Sequence, residues 1–448
     1  MLVYFEYNNS GEESFVTLWG LYLLGIFLLP LVAGVLRFRL GAAWELSTLI
    51  TISLIPFILV KQNSKRSVSF ALEAAGVIFF ISFINISGYI TYAHGVQLDE
   101  MMRQQIFNIE VRIIAESVRL FACFAIFRIT LIFVNTIERA AEAVKWFVLA
   151  AIAQAVYGLY EFCVKITGLS RSMPLLKPRE GAYIEIPRVY GTFFEPSQFG
   201  QFMLVSIFMT LILVHLTRFG FLPGDRFVRF RVLILALLIA MLALSVSRTA
   251  FAVALAVLLV KVTSDVISLS RRRLLSSGKW ILAYVLVVSV GIYLVMLLVP
   301  YSIIDAWLFK TIFADANTLD ENTGLARISG AAEYASEVLR IWLMHPLGIG
   351  EGMAIVEYGS LPFIFRLAME LGPIPFIGYV STLIYIFTKV MANGARLPSL
   401  LPAYFAVVMI QFNYNTTNNA WIWFVMALLL GLSNLLGNAA LARQGARL

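Results

Sequence analysis

Charged residues are scarce in this chain of 448 residues, and cysteine is almost absent. Asp, Glu, Lys and Arg make up 13% of the sequence, whereas hydrophobic residues make up 60%. Soluble domains carry about a quarter charged residues, so this balance excludes an ordinary soluble protein and indicates a membrane protein. The two cysteines, Cys123 and Cys163, fall within hydrophobic stretches, which excludes a disulfide framework and favours simple packing. The sequence also lacks a metal-ligand motif and a Walker loop, so we predict no metal and no cofactor.

The sequence does contain many hydrophobic runs long enough to cross the hydrocarbon core of a bilayer, which is about 30 Å thick. These runs are continuously apolar and lack the period-2 alternation of a transmembrane barrel. We therefore predict an all-α polytopic membrane protein with about twelve transmembrane helices. The predicted spans are 16–36, 43–60, 69–92, 114–134, 146–163, 199–217, 231–247, 249–262, 280–299, 363–389, 400–412 and 420–437.

Basic residues between the spans account for the net charge of +8, and they indicate orientation in a membrane, not nucleic-acid binding. With twelve spans, five basic segments fall on one side, which is predicted to be the cytoplasm and to hold both termini; Arg37 and Arg39 are the exception. Two long connections, 165–198 and 300–362, then lie on the outer face. Amphipathic spacing over 328–342 predicts that the second connection is partly helical.

The first candidate functional segment, from Arg188 to Gly200, closes the first outer connection. It reads Arg-Val-Tyr-Gly-Thr-Phe-Phe-Glu-Pro-Ser-Gln-Phe-Gly and includes Gly191. Arg188 offers a planar fork of donors that suits phosphate oxygens. Glu195, Pro196 and Ser197 are residue types of a helix start, so a well-capped interfacial helix is an equally good interpretation.

The second candidate segment is a predicted tight turn, Ser245-Val-Ser247-Arg248-Thr-Ala, on the same outer side. Arg248 either extends its charged end to the interface or binds an anion, because an arginine in hydrocarbon is costly.

The third segment contains Arg327 and the run His345-Pro-Leu-Gly348-Ile-Gly350-Glu351-Gly. Glycines at this density allow close backbone approach and leave N–H groups free for an anion. An ordinary interfacial loop and a hydrogen-bonded loop histidine are the alternatives. By topology, the arginines of all three segments are predicted to converge on the outer leaflet, where they would suit a lipid-linked pyrophosphate.

These segments, in this order and ending in Glu370-Leu-Gly372, resemble the signatures of the O-antigen polymerase and ligase family. Members are bacterial inner-membrane enzymes that act on polyprenyl-pyrophosphate-linked sugars. The resemblance implies a glycosyltransferase C-like bundle with N-terminal helices (1–145), a catalytic core with both outer loops (146–390), and C-terminal helices and a tail (391–448). Where ligases carry a histidine before the later glycine, this chain has Leu361-Pro362, which favours the polymerase branch.

The resemblance also implies a reaction and its residues. A glycan would move, with inversion and without a metal, from one polyprenyl pyrophosphate to a sugar hydroxyl of another lipid-linked glycan, building O-antigen, capsule or exopolysaccharide. The expected catalytic residues are Arg188, Arg327 and Glu195, the last as general base with His345 and Glu351 as alternatives. The expected substrate-binding residues are Arg248, Ser247, Gly191, Ser197, His345, Gly348, Gly350 and Glu351. Expected partners are the lipid-linked donor and acceptor, membrane lipid, a chain-length regulator and a flippase.

Two other functions stay open. A ligase or protein O-oligosaccharyltransferase would pass finished polymer to a lipid core or a protein. A transporter or flippase of similar helix number is disfavoured, because the polar motifs lie at one face and no inverted repeat is detectable. Glu116, Arg119 and Arg128, in or near the fourth span, either line a groove or pair within the bundle.

Overall fold

The computed structural model describes residues 12–31, 38–39, 43–44, 76, 83, 86–88, 109–167, 189–193, 196–218, 229–245, 247, 250–251, 253–258, 331–350, 363–394, 397–413 and 420–445. Within these residues the fold is helical, apart from a two-residue antiparallel ladder between β1 (Phe38–Arg39) and β2 (Ala43–Trp44). The helices are α1 (Glu12–Leu31), α2 (Ile109–Phe133), α3 (Ile137–Ile166), α4 (Pro196–Arg218), α5 (Arg231–Leu244), α6 (Ala331–Met344), α7 (Phe363–Leu371), α8 (Pro373–Gly394), α9 (Leu400–Asn413) and α10 (Ala420–Gly445).

The described part of the chain has the architecture of a helical membrane protein. Four helices are long and apolar enough to cross a membrane, namely Ile137–Ile166, Pro196–Arg218, Pro373–Asn393 and Ala420–Asn438. Shorter apolar helices cover Trp19–Pro30, Leu120–Phe133, Arg231–Leu244 and Leu400–Gln411. The predicted span 280–299 lies outside the described residues, as do most of 43–60, 69–92 and part of 249–262.

Helices α4 and α10 occupy the centre of the bundle. Helix α10 contacts α1, α2, α3, α8 and α9, and α4 contacts α3, α5 and α9. Both are mainly apolar around their circumference, as expected of helices that are surrounded by others. Their aromatic side chains meet where Phe147 of α3 packs against Phe202 of α4 and stacks on Phe424 of α10.

The predicted single span 363–389 is wrong, because two helices occupy this part of the chain. Helix α7 ends at Leu371, Gly372 adopts a left-handed φ of +77°, and α8 begins at Pro373. A glycine just past a helix end followed by a proline at a first helical position is a strong stop-and-start signal. Hydropathy alone concealed this signal, since apolar residues continue through the break.

The other described helices have boundaries within about ten residues of the predicted spans, and the predicted amphipathic helix is present as α6. Helix α3 is the longest described, and Thr136 caps its start by accepting a hydrogen bond from the Arg139 N–H (3.3 Å). The divisions 145/146 and 390/391 fall inside α3 and α8, so neither coincides with the end of a helix.

Candidate functional site

Residues 189–193, between α3 and α4, form a sharp turn that we call the first loop segment. The Val189 N–H donates to the Leu244 carbonyl at the end of α5 (3.2 Å). Gly191 has a φ of +59°, which favours glycine, and a Cβ there would lie 2.7 Å from the Phe199 ring. The segment is therefore tightly packed between α3, α4 and α5.

Glu161 of α3 fastens this turn through its carboxylate. One oxygen, Oε2, accepts the N–H groups of Tyr190 (2.9 Å) and Gly191 (2.8 Å). The other, Oε1, lies 2.5 Å from Lys165 Nζ, and this ammonium also lies 4.3 Å from the centre of the Tyr190 ring. Successive N–H groups of this kind form an anion-binding nest. Here the protein's own buried carboxylate occupies the nest, so these two amides serve the fold.

Gln154 of α3 makes a second attachment. Its Nε2 donates to the Pro30 carbonyl (2.6 Å) and to Thr192 Oγ1 (2.5 Å), and its Oε1 accepts the Thr192 N–H (3.2 Å). Thr192 Oγ1 also donates to the Pro30 carbonyl (3.0 Å). The carbonyls of a last helical turn lack intrahelical partners, so this network joins the end of α1 to α3 and to the first loop segment.

The start of α4 meets the predicted Ser-Arg turn directly. A Cβ on Gly200 would lie 2.5 Å from Ser245 Oγ and 3.0 Å from Ser247 Cβ, so only glycine allows this approach. Ser245 Oγ donates to the Leu242 carbonyl (2.6 Å), and Ser247 Oγ accepts the Ala250 N–H (3.1 Å) as a helix cap would. The first two candidate segments, far apart in sequence, are thus in contact.

Residues 348–350, which we call the glycine segment, lie against α7. The N–H groups of Gly348, Ile349 and Gly350 donate to the carbonyls of His345 (2.8 Å), Met369 (3.0 Å) and Glu370 (3.1 Å) respectively. The expectation that this glycine-rich run leaves these N–H groups free for an anion is therefore wrong. Gly348 is needed for close packing instead, because a Cβ there would overlap the Glu370 carbonyl.

A buried ion pair lies within α7 beside this segment. Arg366 Nε donates to Glu370 Oε1 (2.8 Å), and the two side chains are 3% and 1% exposed. Sequence reasoning missed this pair and also Glu161. The signal was present in both cases: opposite charges spaced four residues apart within apolar helices.

Of the predicted site residues, Gly191, Ser197, Ser247, His345, Gly348 and Gly350 are described, whereas Arg188, Glu195, Arg248, Arg327 and Glu351 lie outside the described residues. Gly191 and Ser247 both border the start of α4, where Ser197 is half-buried. His345, also half-buried, ends α6 and adjoins the glycine segment. Arg128 is half-buried on α2, and the side chains of Glu116 and Arg119 are not among those described.

The chain matches no protein-family model, and no curated protein matches it in sequence. The resemblance to the O-antigen polymerase and ligase family therefore stays a prediction that rests on the motifs.

Proposed function

We propose that this protein is a metal-independent membrane glycosyltransferase that polymerises polyprenyl-pyrophosphate-linked oligosaccharide repeat units. It acts at the outer leaflet of a bacterial inner membrane, with about twelve spans and both termini in the cytoplasm. The product is O-antigen, capsule or exopolysaccharide. A chain-length regulator and a flippase are its expected partners.

The contact between the first two candidate segments supports this proposal most strongly. Val189 is bonded to Leu244, and Gly200 packs on Ser245 and Ser247. Arg188 directly precedes Val189 in the chain, and Arg248 directly follows Ser247. Consecutive Cα atoms are about 3.8 Å apart, so both arginines are attached to one assembled piece of backbone. Guanidinium groups bind phosphate oxygens through a planar fork of donors, so two arginines adjacent in sequence to this backbone suit a pyrophosphate.

The main catalytic requirement of the proposed glycosyl transfer is stabilisation of the leaving pyrophosphate. The anomeric carbon is activated by its bond to pyrophosphate, and the acceptor hydroxyl attacks this carbon as the bond to the phosphate oxygen breaks. Preorganised Arg188, Arg248 and Arg327 stabilise the negative charge on the departing pyrophosphate. Glu195 takes the proton of the acceptor hydroxyl. With so good a leaving group, this proton transfer comes late, and a weak base is sufficient.

The buried ionisable groups that are described argue for an enzyme over a transporter. Ionisable side chains in a membrane often mark an ion or substrate pathway. Here Glu161 binds backbone N–H groups and Lys165, and Arg366 binds Glu370, so these charges fasten local structure. The polar candidate segments adjoin the start of α4 and the end of α7.

The test is turnover of a defined lipid-pyrophosphate-linked repeat unit by the purified protein. We expect the wild type to produce a ladder of longer lipid-linked glycans. Arg327→Ala should reduce turnover by about 100-fold or more, since loss of one donor to a developing anion typically costs that much. Arg340→Ala is the matched control, because Arg340 is an exposed α6 arginine that pairs with Glu337 of the same helix. This control should turn over at close to the wild-type rate.

Other outcomes assign another function. Equal loss in Arg327→Ala and Arg340→Ala would contradict a pyrophosphate site at Arg327. Transfer only to a lipid core or a protein acceptor would indicate the ligase. Movement of lipid across proteoliposomes, with no ladder from a verified native substrate, would indicate a flippase.

A further inference from the structure

Two buried polar side chains near the first loop segment and the start of α4 lack hydrogen-bond partners among the residues that the structure describes. They are the amide of Gln201 in α4, through both Nε2 and Oε1, and the indole N–H of Trp421 in α10. Their exposures are 1% and 3%. Buried polar groups are nearly always paired, so each unpaired group requires an explanation.

The two groups lie beside the same aromatic cluster. The Trp421 ring packs edge-on against Phe202, the residue after Gln201, with ring centres 5.4 Å apart. Phe202 also packs against Phe193 of the first loop segment, at 5.4 Å. Trp421 therefore contacts the residue that follows Gln201 in α4, and that residue contacts the first loop segment.

Gln201 lies on a face of α4 that does not point toward α3 or the Ser245 turn. Phe199 packs on Gly158 and Gly191, and Gly200 packs on Ser245. Successive helix residues are turned by about 100°, so Gln201 belongs to a third face. Ser197 and Gln198, four and three residues earlier, share this face and extend it to the first turn of α4, where Ser197 is half-buried.

Two other buried glutamines in the described helices, Gln154 and Gln411, are paired. Gln154 bonds Pro30 and Thr192, and Gln411 bonds the Tyr379 hydroxyl and Met426 Sδ. Gln201 thus differs from these two glutamines of the same bundle. An amide kept unpaired in an apolar interior is explained if a ligand completes its hydrogen bonds.

We propose that Gln201 and Trp421 form a subsite that binds a neutral sugar residue of the acceptor glycan through its hydroxyl groups. This inference rests on the proposed function. The amide offers donors and an acceptor, and the indole offers a donor, which together complement hydroxyl groups that both donate and accept. Neither group is charged, so the subsite is suited to the sugar and the arginines to the pyrophosphate.

The test uses calorimetric titration of the full-length protein in nanodiscs. The probes are the lipid-free repeat-unit oligosaccharide and, separately, inorganic pyrophosphate. We expect Gln201→Leu and Trp421→Phe each to weaken oligosaccharide binding about threefold to tenfold, the worth of a typical hydrogen bond. Pyrophosphate binding should not change. The thermal midpoint of Gln201→Leu should stay equal or rise, because the substitution removes no bond within the described protein.

Gln411→Leu is the matched control. It removes the partner of the Tyr379 hydroxyl, so it should lower the thermal midpoint and leave oligosaccharide affinity unchanged. The proposal is overturned if Gln201→Leu lowers the midpoint as the control does, or if neither subsite variant weakens oligosaccharide binding. If oligosaccharide binding depends on Gln201 but the wild type polymerises nothing, the proposed polymerase function is wrong and the sugar subsite stands. If Gln201→Leu and Trp421→Phe both polymerise with the wild-type KM for the acceptor, the sugar subsite is wrong and the polymerase function stands.

Discussion

The first loop segment (189–193) and the glycine segment (348–350) both turn at glycines with left-handed φ angles, +59° at Gly191 and +79° at Gly348. In the first, the buried carboxylate of Glu161 accepts the N–H groups of two consecutive residues. In the second, backbone carbonyls of α7 accept them. One turn is therefore held by a charged side chain and the other by the main chain.

This difference decides which substitutions each turn tolerates. A turn held by carbonyls is insensitive to nearby side-chain identity, but it fails when an added atom separates the two backbones. The first loop segment depends on side chains as well, chiefly the Glu161 carboxylate with its counter-charge Lys165 and the Gln154 amide. Because the first loop segment directly follows Arg188, we expect the bonds that hold this segment to control activity. We expect the bonds that hold the glycine segment to control folding.

Gly348→Ala should have the largest effect. The new Cβ would overlap the Glu370 carbonyl oxygen and force alanine into a left-handed conformation. Backbone strain and overpacking together are expected to cost about 5 kcal/mol of folding free energy, close to the whole stability of a small domain. The measurement is the yield of monodisperse protein and its thermal midpoint in detergent.

Gly378→Ala is the control for this substitution. Gly378 lies in α8 with no atom within 4 Å of its added Cβ, and it has an ordinary helical conformation. Alanine there should leave the midpoint unchanged or raise it, by up to about 1 kcal/mol. Equal yields of both alanine variants would contradict the close contact between the glycine segment and α7.

Arg366→Leu should have the next largest effect, since it leaves Glu370 as a buried charge without its arginine. Breaking a buried ion pair from one side typically costs about 3 to 4 kcal/mol. Removing both charges, as Arg366→Leu with Glu370→Leu, should recover most of this loss. A double-mutant cycle on thermal midpoints measures the coupling, and a double variant no more stable than Arg366→Leu alone would show that the pair does not couple.

The sequence was sufficient to predict where most described helices lie, because apolar length is the main requirement for crossing a bilayer. It failed at Gly372, where apolar residues on both sides concealed a left-handed turn and a new helix start at Pro373. Glycine and proline in sequence marked the break, but hydropathy averaging removed the signal.

The candidate site was predictable only in outline. The start of α4 at Gly200 contacts Ser245 and Ser247. This contact joins two segments far apart in sequence, so no local sequence pattern could predict it. The glycine-rich run looked like an anion site, yet its N–H groups bond the main chain of α7. A sequence shows that a glycine is present, and only the neighbouring backbone shows whether its N–H is free.

Glu161→Gln should have the smallest effect on stability and the most specific effect on turnover. The amide oxygen still accepts an N–H from the first loop segment, but the charge-assisted bonds and the pairing with Lys165 are lost, at a cost of about 1 to 2 kcal/mol. We expect a small fall in thermal midpoint and a larger fall in polymerisation rate, because the loop next to Arg188 is less firmly held. Glu337→Gln is the control: it breaks the exposed Arg340 pair, worth less than about 0.5 kcal/mol, and should change neither quantity. If Glu161→Gln and Glu337→Gln polymerise at equal rates, the hydrogen bonds from the Glu161 carboxylate to the first loop segment do not control activity. The difference between the two turns would then concern folding alone.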